Sequence, residues 1–199
     1  MILSIDTISN TPQLALYEKS LSKVPFSGPR SYSQEIVKHL DALLRRGKTT
    51  LQNIDQIVVL TGPGSFTSIR IGISFANALG YSLQVPVVGL SLFDAIRLQE
   101  DFSGLVMVDA NHDNVFYSAT GRSKSQLLPV KKIPTKKEGL SVFEKVATKN
   151  VRLVSEIDVK KLLQALLSQR QSLSRKFVPV QPLYIVRPAI TKSKKPKFF

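Results

Sequence analysis

Apolar and polar positions recur along most of this 199-residue chain, and their period changes from one segment to the next. "ILSID", residues 2–6, is a short apolar run, and "QLALYE", 13–18, alternates like a half-buried strand, so together they predict a hairpin. "SYSQEIVKHLDALLRRG" switches to helical spacing. Ile36, Val37, Leu40, Leu43 and Leu44 share one face, Ser31 and Gln34 have capping-box spacing, and Gly47 is the stop. Arg45 and Arg46 suit the carboxyl end of that helix. A buried strand over 56–62, a helix over 66–83, a strand over 86–90 and a short helix over "LFDAIRLQ" follow. That alternation calls for parallel strands joined by crossovers. Near residue 105 the opening pattern returns: "GLVMVDANHDNVFYSAT" again runs an apolar strand into an aspartate, a polar turn and an alternating strand. Two such units predict two lobes of related topology, with a boundary near residues 100–103. Beyond it "KKEGLSVFEKVATK" and "VKKLLQALLSQ" read as helices and "VRLVS" as a strand between them.

The segment 66–83 departs from an ordinary surface helix. At roughly 100° per residue, Ile69, Gly72, Ile73, Ala76, Gly80 and Leu83 gather on one arc, with Ile71, Phe75 and Ala78 nearly opposite. Arg70, Ser74, Asn77 and Tyr81 form only a narrow polar stripe. Such a helix must bury two sides. One packs on its own sheet, and the other needs either a second layer of this chain or a partner. Gly72 and Gly80 would let another helix approach closely.

Composition adds one strong asymmetry. The net charge is +14; residues 1–100 hold nine Lys or Arg against seven Asp or Glu, and residues 101–199 hold nineteen against seven. A basic second half attracts polyanions, because each neutralised phosphate releases counterions. The last stretch, "RPAITKSKKPKFF", carries five basic residues and no acid, so residues 191–199 are expected to be a disordered basic tail. Hydrophobic residues make up 43% of the chain, enough to fill a core. No apolar run approaches the length of a membrane span, and "MILSIDTISN" lacks the basic flank of a signal peptide, so a cytoplasmic location is expected.

Catalytic chemistry is hard to place. The chain has no cysteine and two histidines, His39 and His112, 73 residues apart, which excludes thiolate sites and paired imidazoles on one helix. Glu35 and His39 read as an exposed i,i+4 pair and His112 as a turn residue. "GPGSFTSIR" lacks the Lys-Ser or Lys-Thr of a Walker loop and the Gly-x-Ser-x-Gly of a nucleophile elbow. It offers only a helix amino terminus, which Ser65 or Thr67 would cap or an anion would occupy. Asp6 and Asp109 sit where actin-like and sugar-kinase folds turn around ATP phosphates, but those turns use Asp-x-Gly. Here Ile8 and Asn111 stand at the third positions, so the first loop, with Asp6 and Thr7, reads as disabled. No catalytic residue, metal or cofactor is expected.

"ILSIDT", "GPGSFTSIRIGISFANAL", "PVVGLSLFDAI", "VDANHDNVFY" and "QPLYIVRP", in that order, resemble the TsaB family of bacterial tRNA threonylcarbamoyladenosine synthesis. Ser68 where the family has Gly, Asp109-Ala110-Asn111 where it has Asp-Ala-Arg, and one extra residue between Tyr184 and Arg187 are departures. The resemblance implies an α/β, actin-like (ribonuclease H-like) two-lobed fold with mixed sheets flanked by helices. It implies a non-catalytic scaffold for a TsaD-like transferase, working with a TsaE-like ATPase to modify adenine 37 of tRNAs that read ANN codons. It places the partner contact on helices 34–46 and 67–83. Combined with the helix reading, the candidate interface residues are Ile36, Leu40, Leu43, Ile69, Arg70, Gly72, Ile73, Phe75, Ala76 and Leu79, and Asp6, Thr7 and Asp109 mark vestigial phosphate loops. The lobes are expected at 1–102 and 103–190. Direct contact with tRNA through the basic half and homodimerisation of the isolated chain are further expectations. Two other classes stand beside this one: an ATP-using actin-like enzyme or glycoprotease-like peptidase, and a stand-alone RNA-binding protein.

Overall fold

The computed structural model describes residues 1–27, 32–110, 113–119, 125–133, 139–141, 151–168 and 176–186. Two five-stranded mixed sheets carry the fold. In the first, β1 (Ile2–Asp6) pairs antiparallel with β2 (Gln13–Tyr17), and β2 in turn with β3 (Leu21–Pro25). On its other side β1 runs parallel to β4 (Gln56–Leu60), and β4 parallel to β5 (Val87–Leu90). In the second, β6 (Leu105–Asp109), β7 (Asn114–Ser118) and β8 (Gln126–Pro129) form the antiparallel half, and β9 (Gly139–Ser141) and β10 (Val151–Leu153) the parallel half. The orders β3-β2-β1-β4-β5 and β10-β9-β6-β7-β8 are one blueprint used twice, as the repeated strand, Asp, turn, strand pattern predicts. Asp6 and Asp109 end the two equivalent central strands.

β1, β2 and β4 are buried at every position, which explains their continuous apolar runs. On one face of the first sheet lie α1 (Tyr32–Arg46) and α2 (Phe66–Leu83), which close a core around Leu3, Ile5, Leu14, Ile57 and Val59. Between the two sheets lie α3 (Leu92–Glu100) and α4 (Val159–Ser168), whose Phe93, Ile96, Leu162 and Leu163 meet Ala15 and Val58 on one side and Val106 and Leu140 on the other. Each such fully buried side chain contributes about 1.5–3 kcal/mol relative to exposure. Ser91 caps α3 by accepting from the Asp94 amide at 3.1 Å, and Asp101 closes it in the left-handed region. Gln99 joins α3 to the start of α4, donating to Glu156 O at 3.1 Å and accepting from the Asp158 amide at 3.0 Å. This is the actin-like α/β arrangement expected.

Three local expectations change. Residues 139–141, read within a helix, form the buried strand β9, because Leu140 fills the space between the sheets while its backbone pairs with β6 and β10. Val37 points to solvent and is 64% exposed, since the buried stripe of α1 is Tyr32, Ile36, Leu40 and Leu43. Residues 176–186, assigned to the second lobe, lie against the first: Leu183 N–H donates to Thr61 O at 2.9 Å, and Phe177 and Val180 join the α1–α2 core. Ser31, Asn111, His112 and the tail 191–199 lie outside the described residues.

Candidate functional site: the helix face of the first lobe

The loop ahead of α2 enters through a cis Gly62–Pro63 bond, with Gly62 at φ 132°, a region closed to side chains. Ser65 occupies the cap position, yet its side chain makes no capping bond, contrary to the capping expectation; the helix begins on the Ile69 N–H to Ser65 O bond of 2.9 Å. At the other end Gln84 turns left-handed, and the Val85 amide returns to Gly80 O at 3.1 Å.

α2 is covered on two sides by its own chain. Ile69, Gly72, Ile73, Ala76 and Gly80 are buried on the sheet side. The next flank is covered by residues 177–184, which run antiparallel to the helix. Phe177 meets Tyr81 edge-on at 5.8 Å, the Asn77 carboxamide bonds both backbone groups of Val180, and Tyr184 stacks on Phe66 at 4.9 Å. The Arg70 guanidinium lies over that same Phe66 ring, 5.3 Å from its centre. What remains outside is a stripe of Ile71 and Phe75, both half-buried, with exposed Thr67, Ser74, Ala78 and Ser82.

The candidate interface residues therefore divide. Ile36, Leu40, Leu43, Ile69, Gly72, Ile73 and Ala76 are core residues of this chain and offer no surface, because the sheet and not a visitor covers their side. Arg70 is exposed, and Phe75 and Leu79 are half-buried. Gly72 does not admit a foreign helix: an added Cβ would lie 2.5 Å from Thr7 Oγ1, so it makes room for the β1–β2 turn. Sequence periodicity missed the flank partners Asn77 and Phe66, because Asn77 reads as part of the polar stripe.

The turn after β1 is closed on itself. Asp6, 1% exposed, accepts from the Ile8 and Ser9 amides at 2.9 Å each and from Ser9 Oγ. Burial raises the Asp6 carboxyl above its ordinary 3.8, and the Ser9 and Ile8 bonds oppose that rise. Thr7 Oγ1 donates to Ser68 O of α2 at 2.8 Å, so the turn is pinned to the helix. Backbone N–H groups that a phosphate would need at Ile8 and Ser9 already serve Asp6. Asp109, at the equivalent strand end, is half-buried. His39 turns from the Glu35 carboxylate to its own helix: Nδ1–H donates to Glu35 O at 2.9 Å, and the ring stacks on Phe26 at 4.8 Å. Burial, and then the Asp6 charge, push Tyr32 above 10.0.

Hollows lie elsewhere. One of about 300 Å³, lined by Met1, Tyr17, Asp55 and Leu167 among others, opens at the opposite edge of the first sheet from Asp6. Among the described residues no group of three His, Asp or Glu could hold a metal ion, and no helix is long and apolar enough to cross a membrane.

Residues 18–147 match the family model described as TsaD: tRNA N6-adenosine threonylcarbamoyltransferase. The chain is 27% identical over 155 residues to the TsaB protein of Buchnera aphidicola subsp. Schizaphis graminum, covering 70% of this chain and 74% of that one. Identity to the Escherichia coli TsaB protein is 29% over 130 residues, covering 62% and 56%. A Pseudomonas aeruginosa crystal structure, titled as a protein with similarity to peptidase YeaZ, has the same fold with a TM-score of 0.69 and 21% identity, over 93% of this chain and 99% of that one. The family match covers most of the chain, and relatives named TsaB align with 62–70% of it; the protein belongs to the family whose model is described as TsaD: tRNA N6-adenosine threonylcarbamoyltransferase.

Proposed function

We propose that this protein is a non-catalytic subunit of the assembly that forms N6-threonylcarbamoyladenosine in tRNA, and that it presents the outer stripe of α2, with Val37 of α1, to a TsaD-like transferase. One observation carries the reading: after the sheet and residues 177–184 have covered two sides of α2, Ile71, Phe75 and Ala78 still form an apolar strip at the surface. Val37, 64% exposed on the neighbouring helix of the same layer, is a further apolar side chain at the surface. Surface strips of this kind mark protein contacts. Arg70 stands at the rim, where a charge tunes association more than affinity. The closed Asp6 turn supports an accessory role, because its amides are occupied without a nucleotide.

The direct test is co-elution with a TsaD-like subunit. Phe75→Glu puts a charge into the apolar strip and should weaken the complex by about thirtyfold or more, equivalent to about 2 kcal/mol. Wild-type protein that forms no complex at micromolar concentration overturns the reading. Titration of the isolated chain with ATP and magnesium should show no heat of binding, and micromolar affinity would favour an enzyme instead.

The larger assembly adds a TsaE-like ATPase and works in the cytoplasm, where its tRNA substrate is. Exposed Lys131, Lys132, Lys160 and Lys161 on the second lobe support a contact with tRNA phosphates. Affinity for tRNA should then fall steeply with salt, and a salt-independent response argues against that contact. Without its partner the apolar strip would pair two copies, which sedimentation of the isolated wild type and of Phe75→Glu distinguishes.

A further inference from the structure

We propose that the crevice between α2 and β5 is a peptide-binding groove for an extended segment of three-residue period. Its ligand is residues 177–184 of this chain, and Asn77 is the positioning residue that holds that ligand and, through it, the outer face of α2.

The segment "FVPVQPLY" has an inward set at every third residue. The Phe177 and Val180 side chains and the Leu183 backbone meet the first lobe, while Val178 and Gln181 stand exposed and Tyr184, partly exposed, rests on Phe66. Three residues per turn is the repeat of polyproline II, and Pro179 and Pro182, three apart, favour that backbone. The receiving surface is cut to fit. A Cβ on Gly89 of β5 would lie 2.5 Å from Val180 Cγ1, and one on Gly62 would lie 2.5 Å from Leu183 O. Asn77 supplies the recognition step: Nδ2 donates to Val180 O and Oδ1 accepts from Val180 N–H, each at 2.9 Å. One carboxamide thus pairs with both backbone groups of a residue, as a neighbouring strand would. Aromatic Phe66 and Tyr81 close the two ends against Tyr184 and Phe177. Aromatic-walled grooves with a fixed polar reader are how folded domains take proline-spaced peptides from other chains. Here the peptide is tethered, so it competes at high effective concentration.

The consequence for the partner face rests on the proposed function above. Phe66, Asn77 and Tyr81 lie on the flank of α2 beside Arg70, Ser74 and Ala78, so a vacant groove leaves that helix held by the sheet and α1 but uncovered on this flank.

The test uses the full-length chain. Val180→Asp places a charge over Gly89 and should release the segment, which faster amide exchange at Leu183 reports. A labelled synthetic peptide of residues 176–186 should then bind that variant saturably by fluorescence anisotropy, about tenfold more weakly when Asn77→Ala is added, and a scrambled peptide should not bind. The same peptide should restore the binding of a TsaD-like subunit that Val180→Asp loses. Peptide affinity that is absent, or indifferent to Asn77, overturns the groove. Partner affinity that is unchanged when the segment is released overturns the positioning role. Asn77→Ala alone, in an otherwise wild-type chain, gives the same exchange readout if Val180→Asp fails to fold. Phe75→Glu separates the two ideas: if it leaves the complex intact, the partner reading fails while the peptide data still judge the groove.

Discussion

The two lobes follow one strand order, yet they reach stability differently. The first sheet has four strands of five residues and one of four, with a private helical layer of α1 and α2 on its outer face. The second has strands of three residues at β9 and β10, and among the described residues its own outer cluster holds five buried ones. Its larger apolar contacts are made inward, to α3 and α4, in the cluster shared with the first sheet. Among the described residues, then, one copy of the topology closes a core of its own with two helices, and the other makes its larger apolar contacts in the common layer.

Substitutions can break that comparison. The largest effect should come from Leu163→Ala, which empties a fully buried site between the sheets. It should cost about 2–5 kcal/mol in denaturant unfolding, and both lobes should unfold in one transition. Separate transitions would show that the shared layer does not couple them. Gly72→Val acts on the first lobe alone, driving a side chain against Thr7 and α2 against the Asp6 turn, and should cost about 1–3 kcal/mol. Arg97→Met probes the second lobe's dependence on α3. It removes guanidinium bonds to the carbonyls of Gly104, Ser118 and Ala119 and should cost about 1–2 kcal/mol, with faster exchange in β7.

The smallest effect is a pH dependence at the Asp6 turn. Burial raises Asp6 above its ordinary 3.8, so the folded state holds that proton more tightly than the unfolded one. Stability from this group is present below 3.8 and is lost as pH rises through the folded value. Asp6→Asn keeps Oδ1 for the Ile8 and Ser9 amides and removes the charge. Wild type minus Asp6→Asn stability, followed from acid to neutral pH, should decline. A difference that grows with pH would mean that the amide bonds outweigh burial.

Much of the architecture was legible because it was written in periods of two and 3.6. The bounds of α2 and the return of the strand, Asp, turn, strand pattern at Asp109 follow from apolar spacing alone. β9 was not legible, since three residues cannot display alternation and Leu140 reads equally well on a helix. The segment at 177–184 escaped for a related reason: its period is three, which neither template matches. The second side of α2 that its own chain covers is the polar stripe at Asn77 and Tyr81, not the apolar arc of Ile71, Phe75 and Ala78, since periodicity cannot say which neighbour covers which flank. The same limit put Ile36 and Ile73 in an interface when the sheet already buries them.

The docking of Val180 and Leu183 on the first lobe has a bearing on the order of synthesis. α2 leaves the ribosome about one hundred residues before its flank can be covered, an interval of roughly 5–20 s at ordinary elongation rates. During it, the Asn77 amide and the Phe66 ring wait in water. A nascent chain that has not yet reached Leu183 consequently shows a helix surface different from that of one in which residues 177–184 have docked.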